Sequence, residues 1–230
     1  MSVKAKVTFP LLLVNLKSYL ESSGRRAVEL AKVAETVAED TGVCIGLAPQ
    51  FVDISLISKF KVPVFSQHVD PILPGPFTGH VLPESVVDAG AVGTIMNHSE
   101  RRLELSELET VVARAKSVGL ISVVCASSSK VGMAAALLAP EIIAIEPPEL
   151  IGTGMAVSKV KPEIVSGSVE MIRKVNQNVV VLCGAGISSG EDVSASMKLG
   201  SRGVLVASGI VKAPNWKKTL LELAEACIRI

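Results

Sequence analysis

Aromatic side chains are scarce in this sequence. They make up 3% of its 230 residues, with one Trp, one Tyr and five Phe, whereas 49% of the residues are hydrophobic. There is enough apolar surface for one sizeable core, but that core must be built from Val, Ile, Leu and Ala. Branched aliphatic side chains of this kind fill the interior of closed barrels of parallel strands.

An excess of charge of one sign is missing as well. The formal net charge is +1, and no long acidic or basic run occurs. Proteins that bind nucleic acid or a membrane surface usually carry a basic patch or stripe. We therefore expect neither kind of partner, although a local positive site for a small anion is compatible with this balance.

The sequence also lacks the patterns of a metal site, a disulfide framework or a membrane span. Its four cysteines, Cys44, Cys125, Cys183 and Cys227, form no CxxC pair, so we expect them to be reduced and buried. The apolar stretch Phe9–Leu16 is too short to cross a membrane and has no signal-peptide cleavage site. These features predict a soluble, cytoplasmic protein with no metal site.

Short apolar runs rich in β-branched residues recur eight times along the chain. Each run is nearly continuous instead of alternating, which is typical of parallel strands that are covered on both faces. The predicted strands cover Thr8–Lys17, Val43–Pro49, Val62–His68, Val92–His98, Ile121–Ser127, Ile142–Glu146, Val179–Cys183 and Gly203–Ala207.

Amphipathic stretches separate these runs. Ser22 or Ser23 can N-cap the first helix and Asn215 the last, and helical patterns recur at Leu105–Gly119 and Ser188–Gly200. Alternating strands and helices form a parallel sheet with right-handed crossovers. Eight such units predict an α/β fold in which residues 1–230 form a single (β/α)8 barrel domain. A doubly wound sheet is disfavoured because LKSYLESSG, after the first strand, contains no GxGxxG.

Polar side chains stand where several predicted strands end, and a barrel carries its active site at the carboxyl ends of its strands. Asn15 and Lys17 end the first strand, His98 the fourth and Glu146 the sixth. Each alone is compatible with a structural role. Together, a carboxylate, an imidazole and an ammonium group at one barrel mouth indicate a catalytic set. The glycine-containing turns CGAGISSG and ASG, after the last two strands, predict an anion site of the kind that binds phosphate.

Four segments carry a resemblance to a known family. NHSERR, which begins at Asn97, closely resembles the GHSERR signature of triosephosphate isomerases. Asn15-Leu16-Lys17 is similar to their Asn-x-Lys, and the segment PFTG at 76–79 is similar to their third-loop AFTGE. IEPPELIGTG, at 145–154, resembles their catalytic glutamate and mobile lid. The matches occur in the family's order and cover nearly the whole chain.

The resemblance implies a TIM barrel that interconverts D-glyceraldehyde 3-phosphate and dihydroxyacetone phosphate through an enediolate, a step of glycolysis and gluconeogenesis that requires no cofactor. It implies that Glu146 is the base, that His98 is the neutral electrophile and that Lys17 is a catalytic cation. The implied substrate-binding residues are Asn15, Leu16, Lys17, Ile151, Gly152, Gly186, Ala207 and Ser208.

The sequence also departs from the family's common pattern. The lid has Pro148, Glu149 and Leu150 in place of Pro-Val-Trp, CGAG stands where many members have YGGS, and Ala207-Ser208 replaces a Gly-Gly pair. These departures resemble the archaeal branch, whose members are typically tetramers, so we expect a homo-oligomer. Another phosphate-binding barrel, such as a phosphosugar epimerase, and a barrel kept as a binding or scaffolding protein are the alternatives.

Overall fold

The computed structural model describes residues 5–147, 156, 158 and 161–229. Within them, parallel strands form a closed barrel in the order β2-β1-β8-β7-β6-β5-β4-β3, and a bridge between Leu47 and Val64 brings β2 beside β3. The predicted (β/α)8 barrel is thereby confirmed. The strands are β1 Leu11–Asn15, β2 Cys44–Ala48, β3 Phe65–Ser66, β4 Gly93–Met96, β5 Ile121–Ala126, β6 Ile142–Ile145, β7 Val180–Cys183 and β8 Gly203–Val206.

Helices surround the barrel, and most follow a strand directly. They are α1 Arg25–Thr41, α2 Ile54–Ile57, α3 Pro83–Asp88, α4 Leu105–Ser117, α5 Ser129–Ala136, α6 Pro162–Val175, α7 Gly190–Lys198, α8 Ser208–Val211 and α9 Trp216–Ile228. No helix in the described ranges is long and apolar enough to cross a membrane.

The ends of two helices test the predicted caps. The prediction of Asn215 is confirmed, because its Oδ1 accepts a hydrogen bond from the N–H of Lys218 at 3.0 Å. The prediction of Ser22 or Ser23 for α1 is wrong, since the N-cap position is occupied by Gly24. The hydroxyl of Ser22 donates to the carbonyl of Leu16 and that of Ser23 to the carbonyl of Tyr19. Both hydroxyls therefore bond to residues before α1, and neither accepts an N–H group of its first turn.

The interior of the barrel is filled by inward-facing aliphatic side chains and by the ring of Phe65. Phe65 on β3 is fully buried there. It fits because glycines face it from both neighbouring strands: a Cβ at Gly46 would lie 3.0 Å from the ring, and one at Gly93 would overlap it. A single large side chain therefore occupies the space that two small neighbours leave.

A second core lies between the barrel and the helices. Outward-facing strand residues such as Leu12 and Val14 pack with Leu30 of α1 and Leu223 of α9. The helices are thereby fixed around the outside, and the carboxyl ends of all strands open at the same end of the barrel. The four cysteines, as predicted, are buried, and their thiols are free.

Candidate active site

A cavity of about 320 Å³ opens at the carboxyl ends of the strands. It is lined by residues that end β1, β4, β6, β7 and β8 or follow them directly, so side chains far apart in sequence meet in one place. The predicted site residues that line it are Asn15, Lys17, His98, Glu146, Gly186, Ala207 and Ser208.

One other predicted site residue, Leu16, does not line this cavity. The side chain of Leu16 is fully buried in the core between the strands and the helices. Its N–H donates to the carbonyl of Ala48 at 2.9 Å, which continues the pairing of β1 with β2. Ile151 and Gly152, which were predicted to bind substrate from the lid, lie outside the described residues.

Lys17 leaves β1 in an unusual backbone conformation. Its φ is 47°, in the left-handed region that costs a side-chain-bearing residue roughly 1–2 kcal/mol. Asn15 supports this turn, because its Oδ1 accepts the N–H of Lys17 at 2.9 Å. The ammonium group reaches across the mouth and donates to Oε1 of Glu100 at 2.7 Å, and the side chain is 14% exposed.

Asn97 holds the start of the NHSERR segment. Its φ is 56°, and Asn tolerates this region better than most residues. Its side-chain amide donates to the carbonyl of Cys125 at 3.0 Å, and its Oδ1 accepts the N–H of Leu103 at 3.0 Å. These bonds fix the turn that aims His98 into the cavity.

His98 is buried and carries a defined tautomer. Its Nδ1 accepts the main-chain N–H of Glu100 at 3.2 Å, so the ring proton of the neutral imidazole is on Nε2. That nitrogen lies 3.6 Å from Oε1 of Glu146. Burial, together with the nearby charge of Lys17, lowers the pKa of His98 to about 4. The imidazole is therefore a neutral donor at physiological pH.

Glu146 follows β6 and is 3% exposed. Its main chain extends the strand, since its N–H donates to the carbonyl of Ala126 at 2.8 Å. Among the described residues, its Oε2 has no hydrogen-bond partner. Burial raises the pKa of this carboxyl to about 7, against the lowering effects of the Cys125 thiol and of Lys17. A carboxyl of this kind can accept or release a proton near neutral pH.

The glycine turn after β7 has a role that the sequence did not indicate. A Cβ added to Gly184 would lie 2.5 Å from Cγ of Glu146. The absence of a side chain at Gly184 is therefore what leaves room for the Glu146 carboxylate. The sequence led us to interpret this turn only as part of an anion site.

The predicted anion site lies at the other side of the cavity. Gly186 has a φ of 72° and lies beside Ala207. The first turn of α8 leaves the N–H groups of Ser208 and Gly209 without an acceptor among the described residues. The N–H groups of Ser188 and Ser189 are not available in the same way, because both donate to the Asp192 carboxylate.

Two glutamines that the sequence analysis did not single out contact Lys17. Its carbonyl accepts from Nε2 of Gln50 at 2.7 Å and from Nε2 of Gln67 at 2.9 Å. Gln50 lies just after β2 and Gln67 directly after β3. Their position at strand ends was the one signal in the sequence, and it is shared by many residues without such a role.

A buried polar cluster connects the NHSERR segment with the loop after β3. The Asp70 carboxylate contacts His68 Nε2 at 3.0 Å, the N–H of Val81 at 2.5 Å and Arg101 Nη2 at 3.5 Å.

Within the described residues, no group of three His, Cys, Asp or Glu side chains is arranged to bind a metal ion.

Known proteins with a similar sequence indicate the family to which this chain belongs. A sequence model of the family described as triosephosphate isomerase matches residues 10–227. The chain is 50% identical to the triosephosphate isomerase of Methanocaldococcus jannaschii, over 93% of this chain and 98% of that protein. It is 53% identical to those of Methanobacterium bryantii and Methanosarcina barkeri, over 93% of this chain and 95% and 97% of theirs. Similarity over nearly the whole length shows that this chain belongs to the triosephosphate isomerase family.

Proposed function

We propose that this chain is an isomerase that interconverts D-glyceraldehyde 3-phosphate and dihydroxyacetone phosphate. The observation that carries the proposal is the buried Glu146 carboxyl, whose Oε1 lies 3.6 Å from Nε2 of the neutral His98 in a cavity that also holds Lys17. This set provides a base, a hydrogen-bond donor and a positive charge. Those are the groups that proton transfer next to a carbonyl requires.

Glu146 is the base in this proposal. It removes a proton from the carbon next to the substrate carbonyl and returns it to the former carbonyl carbon, while the proton of the substrate hydroxyl moves to the former carbonyl oxygen. A catalytic base works best when its pKa lies close to the working pH, and burial raises the pKa of Glu146 to about 7. Because its Oε2 has no partner among the described residues, the carboxylate can approach substrate without breaking a protein hydrogen bond there.

His98 is the electrophile. Its Nε2–H donates to the substrate oxygen on which negative charge develops as the enediolate forms. A neutral imidazole is suited to this because the N–H of Glu100 already occupies Nδ1, which leaves Nε2 as the protonated nitrogen. A fixed donor in a buried site stabilises developing charge more strongly than water does.

Lys17 and the anion site hold the phosphate end and balance its charge. The ammonium group of Lys17 supplies positive potential for a dianionic substrate, while Asn15 holds the backbone of Lys17. In this proposal the N–H groups of Gly186 and Ser208 donate to phosphate oxygens; both residues line the cavity, as does Ala207, which precedes the short helix α8. We assign Ile151 and Gly152 to a lid that closes over the bound phosphate and excludes water.

We further propose that the protein acts in the cytoplasm as a homotetramer, with a triose phosphate as its small-molecule partner and with no nucleic-acid or membrane partner. Leu105 on α4 and Val131 on α5 are large apolar side chains that are exposed in the single chain and line the same surface pocket. Exposed apolar side chains close together are typical of surfaces that another subunit covers. The mass in solution by light scattering, for the wild type and for Leu105→Lys, tests this assembly.

The activity is tested by a coupled assay for conversion of glyceraldehyde 3-phosphate in the presence of EDTA. We expect fast turnover that falls by about a thousandfold or more in Glu146→Gln, with a modest change in KM, because the variant keeps the shape but loses the base. Glu109→Gln, an exposed change of the same type on α4, is the matched control and should be as active as the wild type.

Two results would contradict the proposal in different ways. A loss below about tenfold in Glu146→Gln would show that another group is the base. No turnover by the folded wild-type protein would instead favour another phosphate-binding barrel or a binding protein without catalysis. Binding of phosphoglycolate separates those two, because a scaffold has no need to bind a mimic of the enediolate.

A further inference from the structure

The main-chain carbonyl of Lys17 is held by two side chains from other loops. Nε2 of Gln50 donates to it at 2.7 Å and Nε2 of Gln67 at 2.9 Å. Each amide is itself anchored: Gln50 also donates to Oγ of Ser18 at 2.7 Å, and Gln67 also donates to the carbonyl of Ala48 at 3.0 Å. The Lys17 carbonyl therefore receives two hydrogen bonds from a pair of partly fixed amides.

The chemistry of these contacts determines how both amides are oriented. A main-chain carbonyl can only accept hydrogen bonds, so the amide nitrogen and not the oxygen of each glutamine must face Lys17. The same orientation brings Nε2 of Gln50 to 3.5 Å from Oε1 of Gln67. We call this arrangement of Gln50 and Gln67 the amide clamp.

The amide clamp stabilises the backbone of Lys17, which is in a strained conformation. Lys17 has a φ of 47°, and its N–H is already held by Oδ1 of Asn15. Its two peptide groups are thus fixed on one side by Asn15 and on the other by the clamp. Because the direction of the Cα–Cβ bond follows the backbone, these bonds also determine where the ammonium group can reach.

We propose that Gln50 and Gln67 are positioning residues of the isomerase, acting on catalysis through Lys17. Neither side chain lines the cavity, so neither is expected to touch substrate. Without the clamp, the backbone of Lys17 relaxes toward negative φ and its ammonium group leaves the mouth of the barrel. This inference rests on the proposed function, since it concerns the placement of a cation that the reaction uses.

The first test is a double-mutant cycle on kcat/KM. Gln50→Ala is expected to lower kcat/KM by about tenfold in the wild-type background and to have almost no effect in a Lys17→Ala background. A merely structural contribution of Gln50 would reduce kcat/KM by the same factor in both backgrounds. Gln67→Ala should follow the same pattern, so the cycle can be measured with either glutamine if the other variant folds poorly.

Two further variants separate the hydrogen bond from packing and from general effects. Gln50→Glu keeps the size of the side chain but presents carboxylate oxygens, which cannot donate to the Lys17 carbonyl, so it should be at least as impaired as Gln50→Ala. Gln177→Ala is the matched control, because Gln177 is the third glutamine of the chain, is exposed and lies before β7 at the opposite end of the barrel. It should be as active as the wild type.

The outcomes distinguish this proposal from the proposed function. Turnover by the wild type together with unchanged kcat/KM in Gln50→Ala and in Gln67→Ala would overturn the positioning role and leave the isomerase intact. An equal loss in the Lys17→Ala background, or full activity of Gln50→Glu, would also overturn it. Absence of turnover by the folded wild type would refute the proposed function instead. The amide clamp would then have no catalytic residue to position.

Discussion

The main-chain N–H of Glu100 donates to Nδ1 of His98 at 3.2 Å, so one nitrogen of this imidazole is already occupied as an acceptor. Burial and the charge of Lys17 lower the pKa of His98 to about 4. We predict that the ring stays neutral, with its proton on Nε2, from alkaline pH down to about pH 6. Nitrogen NMR of protein labelled at histidine measures this directly, and two protonated ring nitrogens at neutral pH would contradict it.

The Cys125 thiol should affect the pH dependence of the reaction. It lowers the pKa of Glu146 by hydrogen bonding to the carboxylate, whereas burial raises that pKa to about 7. The base must be ionised, so kcat/KM falls as the pH drops below this value. We predict that Cys125→Ala raises the pKa of Glu146 and moves the acid limb of the kcat/KM profile to higher pH.

The matched control for this prediction is Cys227→Ala, which removes an equally buried thiol from α9, far from the cavity. Titration of the substrate phosphate contributes equally to every profile and cancels in the comparison between variants. An acid limb that stays in place in Cys125→Ala, or moves to lower pH, would show that the thiol does not stabilise the charged carboxylate.

Glu146 should make the protein less stable as the pH rises. Its pKa in the folded protein, about 7, lies above its ordinary value of 4.5, so folding favours the protonated carboxyl. Its contribution to stability is fully present below about pH 4.5 and is lost as the pH rises through 7. Glu146→Gln should therefore exceed the wild type in free energy of unfolding by up to about 3 kcal/mol at pH 8, and by little at pH 4.5.

Urea unfolding at the two pH values measures this difference, and Glu109→Gln is the control for loss of an exposed carboxylate. If the difference in free energy of unfolding between Glu146→Gln and the wild type were the same at both pH values, the ionised Glu146 carboxylate would not destabilise the folded protein. A greater gain in stability of Glu146→Gln at low pH would contradict a pKa of Glu146 that is raised by folding.

Gly184 should be required for the position of Glu146 and not for folding. An added Cβ would lie 2.5 Å from Cγ of the glutamate, so Gly184→Ala must displace the carboxylate. We predict a loss in kcat of about a hundredfold with the fold retained, since a small misplacement of a catalytic group is costly. Steady-state kinetics and circular dichroism measure the two effects.

Gly167→Ala is the matched control for this substitution. Gly167 lies within α6, and nothing is within 4 Å of a Cβ added there. Alanine is the better helix former, so the control should be fully active and slightly more stable, by about 0.5–1 kcal/mol. Normal activity in Gly184→Ala would show that the glutamate does not need this space.

Much of the fold followed from the sequence because the strands are buried on both faces. Continuous runs such as Ile142–Glu146 predict a strand without any knowledge of its neighbours. The predicted bounds were too wide for two strands: β1 was predicted over Thr8–Lys17 but is observed at Leu11–Asn15, and β3 was predicted over Val62–His68 but is observed only at Phe65–Ser66. Val64 pairs with Leu47 through one bridge, so an apolar run there indicates burial more than regular pairing.

The candidate site could be predicted in part for a related reason. His98, Glu146 and Lys17 stand at the ends of apolar runs, and the carboxyl ends of parallel strands must meet. The amide clamp and the contact of Gly184 with Glu146 could not be predicted, because they depend on distances between loops that are far apart in sequence. The burial of the Leu16 side chain could not be predicted either, because the family motif Asn-x-Lys does not say which way its middle side chain points.

The joint between β2 and β3 is one of two weakly paired seams in the described barrel: a single bridge joins Leu47 to Val64, and a single pair, Cys183 with Val204, joins β7 to β8. At the mouth, this seam is crossed by side chains instead of ladder bonds, because Gln67 donates to the carbonyl of Ala48. Amide protons along the seam should exchange with solvent earlier than those of the neighbouring strands. An opening of the cylinder at this joint separates Gln67 from Ala48 and from Lys17, so we expect the chain to lose catalytic competence before it loses its shape.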